Sequence, residues 1–255
     1  MIEIDNIYLG DCLEVMKDIP DNTCDMVLCD LPYGVLNRAN KNVKWDNVIP
    51  LDKLWEQYAR IVKDKGNIVL FAQDMFTAKL LMSKPEWHRY NLVWDKCYVT
   101  GFLDANRKPL RQHEDICIFT NGGGYASTYN PQKTRSSKRH KIGGNGIKNS
   151  CYGNLQRLPT QETYERYPTS ILTFSKEDGT RHYHPTTKPV DLLRWLILTY
   201  SNENDVVLDN CMGSGSTCVA AIKEKRHYIG IEIEEKYFNV AKQRINEEKA
   251  NLTLF

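Results

Sequence analysis

The chain has 255 residues, of which 41% are hydrophobic, a size and composition that suit one α/β domain or one domain with a large insertion. No apolar run is long enough to span a bilayer, and segment 1–5 carries acids where a signal peptide needs bases, so we expect a cytoplasmic protein with no membrane partner. The net charge of only +2 excludes a chain that is strongly basic or acidic as a whole.

Short β-branched or aromatic runs alternate with amphipathic stretches over most of the chain. This alternation predicts an α/β fold with a mainly parallel sheet of seven strands and helices on both faces. The predicted strands are 7–9, 25–29, 67–71, 92–94, 116–119, 206–208 and 228–231. The predicted helices are 51–63, 75–83, 190–200, 219–225 and 235–248.

One stretch, 121–181, interrupts the alternation with glycine-rich runs and scattered tyrosines. A loop of this length inside a compact domain is usually functional or partly disordered. We interpret it as a recognition insertion or a mobile lid, which divides the chain into segments 1–120, 121–181 and 182–255.

The insertion also concentrates positive charge, because no Asp or Glu occurs between residues 116 and 161. Basic residues without a counter-charge create a local positive field, although such a stretch can also be an ordinary solvated loop. The basic residues are Lys133, Arg135, Lys138, Arg139, Lys141, Lys148 and Arg157.

We expect no metal centre in this chain. None of its eight cysteines forms a C-x-x-C pair, and several lie in apolar runs, which indicates reduced, buried thiols. His140 and His182 have no potential ligand at a useful spacing, and His184 belongs to a motif considered below.

Segment 206–217 reads as a buried strand, a glycine-rich turn and the start of a helix. Glycines let the backbone approach a ligand, and a helix N-terminus offers free N–H groups to an anionic group. A dehydrogenase would carry a third glycine where this chain has Cys218, and a tight turn without a ligand is the alternative.

The next predicted strand ends in Glu232, 17 positions beyond Gly215. A carboxylate at that strand tip can accept hydrogen bonds from both hydroxyls of a ribose. A solvated strand end is the alternative, since Glu234 and Glu235 follow. Together with the glycine turn, Glu232 predicts a ligand that contains a nucleoside.

A second polar segment, Asp30-Leu31-Pro32-Tyr33, directly follows a predicted strand. The exocyclic amine of a nucleobase is a poor nucleophile because its lone pair is delocalised into the ring. Asp30 and the Leu31 carbonyl could each accept a hydrogen bond from one of its two N–H groups. Pro32 would stiffen the turn, and Tyr33 could stack on the base. An ordinary Asp-x-Pro turn is the alternative.

Asp30-Leu31-Pro32-Tyr33 resembles the D-P-P-Y catalytic motif of DNA amino-methyltransferases. Segment 209–217 is similar to their D-x-F-x-G-S-G-T cofactor motif, segment 184–189 matches H-P-T-x-K-P, and Gly10-Asp11 matches their G-D segment. The motif order resembles that of the β class, a circularly permuted arrangement. The resemblance implies a Rossmann-like methyltransferase fold and S-adenosylmethionine as the cofactor.

The resemblance also implies roles for individual residues. Glu232 would bind the cofactor's ribose and Asp11 its adenine, while Lys188 would meet its carboxylate. Leu31 replaces the first proline of D-P-P-Y, and Cys211 stands where the family usually has Phe, but neither change removes a chemical group that the reaction uses. The implied cofactor-binding residues are Asp11, Thr187, Lys188, Pro189, Asp209, Cys211, Gly213, Gly215, Thr217 and Glu232, and the implied catalytic residues are Asp30, Leu31, Pro32 and Tyr33.

The resulting hypothesis is a site-specific methyltransferase that acts on adenine in double-stranded DNA after base flipping, by direct in-line transfer. An acidic residue at position 30 favours adenine; cytosine, an RNA or protein-glutamine substrate, and a non-catalytic nucleic-acid-binding relative are the alternatives. A homodimer and a cognate restriction endonuclease stay open as partners.

In the insertion, five basic residues would contact phosphates and four amides would reach base edges. The basic residues are Lys133, Arg135, Lys138, Arg139 and Lys141, and the amides are Asn145, Asn149, Asn154 and Gln156.

Overall fold

The structure is a computed structural model, and it describes residues 2–34, 47–123, 127–144, 148–149, 153–154, 158–175 and 187–253. The chain forms two compact units. The larger consists of Met1–Asn130 and Ser170–Phe255, and the smaller of Pro131–Thr169.

Strands and helices alternate along the larger unit. Its strands are β1 (Asn6–Leu9), β2 (Cys24–Asp30), β3 (Val62–Ala72), β4 (His88–Thr100), β5 (Arg111–Thr120), β10 (Ile171–Thr173), β11 (Val206–Asp209) and β12 (His227–Glu232). Its α-helices are α1 (Cys12–Met16), α2 (Leu51–Ile61), α3 (Asp74–Ser83), α4 (Val190–Tyr200), α5 (Ser216–Lys223) and α6 (Glu235–Thr253). The smaller unit contains β6 (Thr134–Gly144), β7 (Lys148–Asn149), β8 (Gly153–Asn154) and β9 (Leu158–Arg166).

The strands of the larger unit form one sheet in the order β1-β12-β11-β2-β3-β5-β4-β10. Neighbouring strands are parallel except at β5, which is antiparallel to both β3 and β4. The predicted mainly parallel α/β sheet and its seven strands are therefore confirmed. The eighth strand, β10, was not predicted because only Leu172 of its three residues is buried, which is too little for a visible pattern.

Helices cover both faces of this sheet, and the side chains of β2 are accordingly buried on both faces. Met26 and Leu28 pack in the core under α4 and α5, whereas Val27 and Cys29 pack in the core under α2. Successive side chains of a strand point to opposite faces, so a strand buried on both faces reads as a continuous apolar run. None of the helices within the described residues is long and apolar enough to cross a membrane.

Helix α2 follows from its apolar spacing, and helix α1 from a cap. Leu54, Trp55, Tyr58 and Ile61 recur at helical spacing and are buried; the helix stops two residues before the predicted end because Val62 already begins β3. Helix α1 has five residues, too few for a periodic signal, and begins at an N-cap (described with the site below).

The centre of the sheet is a topological switch point. β11 and β2 are parallel neighbours, yet the chain continues from β11 to β12 on one side and from β2 to β3 on the other. In open α/β sheets such a divergence leaves a crevice beyond the carboxyl ends of the strands, where ligands bind. The sequence places Asp209 and Asp30 at these two ends.

The smaller unit lies within the stretch that we predicted as an insertion, but its bounds are narrower. β6 and β9 form one antiparallel pair, and β7 and β8 form another. Residues 171–173 belong to the main sheet through their pairing with β4. Asn121 also belongs to the larger unit, since its side-chain amide donates to the Val62 carbonyl over 2.7 Å.

Tight packing at Gly230 gives a first prediction. A Cβ atom there would collide with Met212 and would lie 2.8 Å from Cys218 Sγ and 3.0 Å from an Ile7 methyl group. We expect Gly230→Ala to lower the free energy of unfolding by about 1–3 kcal/mol, the usual cost of an overpacked core, in urea denaturation.

The matched variant is Gly230→Ala combined with Met212→Ala, which vacates part of the space. The double variant should be more stable than the sum of the two single changes predicts. Strict additivity would contradict the collision that we describe.

Candidate active site

A cavity of about 770 Å³ lies at the carboxyl ends of β11 and β2, within the size range of small-molecule sites. Most residues that the sequence singled out line it. They are Asp11, Asp30, Leu31, Pro32, Tyr33, Thr187, Lys188, Asp209, Cys211, Gly213, Thr217 and Glu232.

The glycine-rich turn after β11 is held from several sides. A carboxylate oxygen of the buried Asp209 accepts from the Cys211 N–H over 3.1 Å, and burial raises the pKa of Asp209 to about 6. The hydroxyl of Tyr58 in α2 donates to the side-chain oxygen of Asn210 over 2.6 Å. These two contacts hold the turn in place, and its residues line the cavity.

Glu232 lies at the end of β12, beside this turn. Its two carboxylate oxygens accept from the backbone N–H groups of Gly213 and Glu234, each over 2.8 Å. Only 7% of the residue is exposed, and this burial raises its pKa. The structure thus excludes a solvated strand end, and the oxygens keep lone pairs for a ligand.

Two motif residues, Gly215 and Pro189, are not among the lining residues. Gly215 adopts a left-handed φ of 77° before α5, and a Cβ there would lie 2.9 Å from the Cβ of Ala241 in α6. A glycine is therefore required at this position, because another residue would strain the left-handed backbone and collide with α6. Pro189 occupies the N-cap position of α4.

Asp11 has a structural contact besides its place in the cavity. One carboxylate oxygen caps α1 by accepting from the N–H groups of Leu13 at 2.8 Å and Glu14 at 3.4 Å. Replacement of Asp11 therefore affects the helix as well as any ligand.

The end of β2 and the loop after it bring two polar groups to the cavity wall, the Asp30 carboxylate and the Tyr33 hydroxyl. The Tyr33 hydroxyl donates to Asp30 Oδ1 over 2.6 Å, and the Tyr33 ring packs on Phe76 with centroids 5.0 Å apart. Tyr33 thus contacts Asp30 through its hydroxyl, a contact that base stacking alone does not require.

A chain of alternating charges ends on Asp30. The Lys188 ammonium contacts Asp30 Oδ2 and lies 3.3 Å from Glu114 Oε2, and the Lys96 ammonium lies 3.4 Å from Glu114 Oε1. Lys188 is 9% exposed and Lys96 3% exposed. We call these four residues the charge chain.

Burial and charge act against each other along the charge chain. Burial raises the pKa of Asp30, and the positive charge of Lys188 offsets this only in part. Burial alone would also raise the pKa of Glu114, but Lys188 and Lys96 together hold it below its usual range. The two carboxylates compete for Lys188, and Glu114 has a second cation.

Sequence reasoning missed the wall of the cavity formed by β4 and β5. Both strands were predicted, but charged residues beyond an apolar core are common at strand ends and carried no signal. The additional polar lining residues of this wall are Lys96, Tyr98, Thr100, Arg111 and Glu114.

Some predicted residues lie outside the described residues, among them His182, His184, Asn145, Gln156 and Arg157. Within the part that is described, no group of three or more His, Cys, Asp or Glu residues could hold a metal ion.

The smaller unit supplies counter-charges that the sequence argument did not count. Strand β9 follows the acid-free stretch and carries Glu162 and Glu165, which pair with Arg139 and Lys133 respectively, each over 2.9 Å. The expectation of a stretch without counter-charge is wrong, because the hairpin folds these acids back onto it. Within the described residues, no ion pair involves the exposed Lys138.

The charge chain gives a second prediction. Lys188→Met leaves two partly buried carboxylates, Asp30 with 24% and Glu114 with 14% of the side chain exposed, without their shared cation. We therefore expect a loss of up to about 3–5 kcal/mol in the free energy of unfolding at neutral pH. Without Lys188 the folded-state pKa values of Asp30 and Glu114 rise. The loss should therefore shrink as the pH falls through those raised values, because protonation removes both charges.

Lys17→Met is the matched control. Lys17 pairs with Glu14 on the surface, where both side chains are more than half exposed, so its loss should have little effect at any pH. Guanidinium denaturation at several pH values measures both variants, and equal losses would contradict the buried pairing of Lys188.

Comparison with known proteins identifies the family and the fold. The family described as DNA methylase (N6/N4 type) matches residues 24–243. The type II methyltransferase M.HinfI of Haemophilus influenzae is 30% identical over 97% of this chain and 70% of its own length. Two solved structures share the fold with a TM-score of 0.63: an M1.HpyAVI–SAM complex, at 24% identity over 94% of this chain and 98% of that one, and the cytosine-N4-specific PvuII DNA methyltransferase, at 15% identity over 96% and 94%. The fold is the Rossmann-like methyltransferase fold, and the chain belongs to the N6/N4 DNA methylase family.

Proposed function

We propose that this protein transfers a methyl group from S-adenosylmethionine to the exocyclic amine of adenine in double-stranded DNA. One observation carries the proposal: Asp30 and Tyr33 line the same cavity as the glycine-rich turn and the buried Glu232. This shared cavity supports a site in which a nucleoside-binding half would meet an amine-binding half.

The donor set of the cavity fits this cofactor. Glu232 would hold the ribose hydroxyls, and Asp11 the adenine. The backbone at Gly213 and the hydroxyls of Thr217 and Thr187 would hold the amino-acid end. When bound, S-adenosylmethionine supplies an electrophilic methyl group on a sulfonium sulfur.

Lys188 belongs to the other half of the site in this proposal. Its ammonium contacts Asp30 and lies close to Glu114, so its charge is already matched by two carboxylates. We therefore assign Lys188 to the control of Asp30 and not to the cofactor's carboxylate.

Asp30 and the Leu31 carbonyl act on the target amine. Each would accept a hydrogen bond from one N–H, which favours a tetrahedral nitrogen whose lone pair can form the new N–C bond. As the bond between the methyl carbon and sulfur breaks, the sulfonium becomes a neutral thioether, and the methylated nitrogen releases one proton to water. Tyr33 orients Asp30 through its hydroxyl and offers its ring to the base. The base leaves the duplex first, at a cost on the order of a few kcal/mol.

The choice of adenine rests on position 30, where an acid favours adenine in this family. The PvuII enzyme, which shares the fold, is cytosine-N4-specific by its name. Incubation of unmethylated DNA with deuterium-labelled cofactor, followed by mass spectrometry of the nucleosides, decides between them. Labelled N6-methyladenine supports the proposal, labelled N4-methylcytosine corrects the base, and no label in either overturns the activity.

We further propose that the smaller unit, Pro131–Thr169, recognises the DNA sequence. Strand β6 carries four of the five predicted phosphate-contacting residues, and Lys133 directly precedes it. Arg135 lies 6.0 Å from the Tyr164 ring on β9, a pairing of cation and aromatic surface that suits nucleic acid. A homodimer and a cognate endonuclease stay predictions.

The two halves of the site predict opposite defects, the third prediction. Asp30→Ala should abolish methyl transfer and leave cofactor affinity nearly unchanged, because Asp30 acts on the amine. Glu232→Ala should weaken cofactor binding by a few kcal/mol, as expected for a carboxylate that accepts two hydroxyl bonds.

Isothermal titration calorimetry with S-adenosylmethionine and a methyl-transfer assay measure the two effects. Asp30→Asn and Glu232→Gln, which keep size and lose charge, are the matched controls for folding. Equal losses of affinity in the Asp30 and Glu232 variants would show that one of the roles is misassigned.

The hairpin gives the fourth prediction. If Lys138 and Lys141 contact phosphates, Lys138→Gln with Lys141→Gln should weaken binding to cognate and unrelated DNA alike. Each lost contact should lower the slope of log affinity against log salt by about 0.9, because counterion release depends on charge and not on base identity.

Lys133→Gln with Arg139→Gln is the matched control. Both of these residues are already paired with glutamates of β9, so their loss should change the salt slope less. A slope that is equal in wild type and in the Lys138 and Lys141 variant would mean that this part of β6 does not contact phosphates.

A further inference from the structure

We propose that Glu114 and Lys96 are positioning residues for the reaction. They set how strongly Lys188 pairs with Asp30, and so keep the Asp30 carboxylate able to accept a hydrogen bond from the target amine. This inference rests on the proposed function, because it concerns the same carboxylate.

The geometry joins four separate parts of the chain at one wall of the cavity. Asp30 ends β2, Lys188 precedes α4, Glu114 lies in β5 and Lys96 in β4, and all four line the cavity. β5 is the strand that runs antiparallel to its neighbours, and its pairing places Glu114 opposite Trp94, a lining residue of β4.

Asp30 is already engaged before a substrate arrives. Tyr33 donates to one of its oxygens and Lys188 contacts the other. A lysine that paired with Asp30 alone would hold it as a closed ion pair and compete with the amine. Glu114 provides Lys188 with a second carboxylate at 3.3 Å, which divides its attraction between the two.

Lys96 limits this competition. A lone Glu114 would draw Lys188 away from Asp30 and would leave one excess negative charge in the wall. Lys96, at 3.4 Å from the other Glu114 oxygen, balances it. An apolar pair in place of Glu114 and Lys96 would stabilise such a wall as well as this buried ion pair does, so stability alone does not explain these charges.

Five titratable groups on neighbouring elements surround Asp30 and contribute to its electrostatic environment. Tyr33 lies on its own loop, Lys188 before α4, Glu114 on β5, Lys96 next to Glu114 on β4, and Asp209 at the end of β11. Burial raises the pKa of Asp30, Lys188 lowers it and Glu114 raises it.

These signs give the fifth prediction, in which two variants shift the pH dependence in opposite directions. Transfer requires ionised Asp30, so the single-turnover rate falls on the acid side as Asp30 is protonated. Glu114→Gln removes a negative charge, lowers the pKa of Asp30 and should move this acid limb to lower pH. Lys96→Met removes a positive charge and should move the limb to higher pH.

The measurement uses the whole protein with saturating S-adenosylmethionine and duplex DNA over a series of pH values. Saturation separates the effect from titration of Asp209, which lies in the cofactor half. Asp30→Asn should show a low rate without the limb. Calorimetry should show the same cofactor affinity in the Glu114 and Lys96 variants as in wild type.

Unshifted limbs, or shifts in the same direction, would overturn the proposal. If either single variant fails to fold, Glu114→Gln combined with Lys96→Met replaces it, since no buried charge is left without its partner. The acid limb of this double variant should lie at lower pH than that of wild type, because Glu114 is nearer than Lys96 to Lys188 and Asp30. An unchanged limb would overturn the proposal. Absence of transfer in wild type would instead contradict the proposed function.

Discussion

The parallel pairing of β11 with β2 is the constraint on which the rest of the site depends. It brings Asp209 and Asp30, about 180 residues apart in sequence, to the same edge of the sheet. The chain leaves the two strands in opposite directions, an arrangement that in open α/β sheets forms a ligand crevice beyond the strand ends. The cavity lies at this place, with the glycine-rich turn and Glu232 on the side of β11 and with Asp30 and Tyr33 on the side of β2.

Buried charge is the second theme of the site. The cavity wall contains carboxylates and lysines that would destabilise the fold singly and are tolerated because they neutralise one another. Burial raises the pKa of Asp30, Asp209 and Glu232, whereas the two lysines hold that of Glu114 low. A carboxylate whose pKa is set by such neighbours can be adjusted by a residue that never touches the substrate.

The smaller unit shows how a local charge argument depends on strand pairing. The acid-free stretch was visible in sequence, but its counter-charges come from β9, which register places opposite β6. The positive field of this unit therefore depends on the bases that form no ion pair within the described residues, such as Lys138 and Lys141, and not on a count of all bases.

The sequence by itself determined seven of the eight strands of the sheet, since apolar runs and helical spacing reflect burial that is local to each element. It also predicted residues on both sides of the cavity, because Asp30 and Glu232 each stand at the end of a recognisable strand. The tertiary structure alone decided that Gly215 serves helix packing, that Lys188 contacts Asp30, and that Glu114 and Lys96 complete the wall. These contacts join residues far apart in the chain, and no periodicity within a single element records which distant side chain lies opposite.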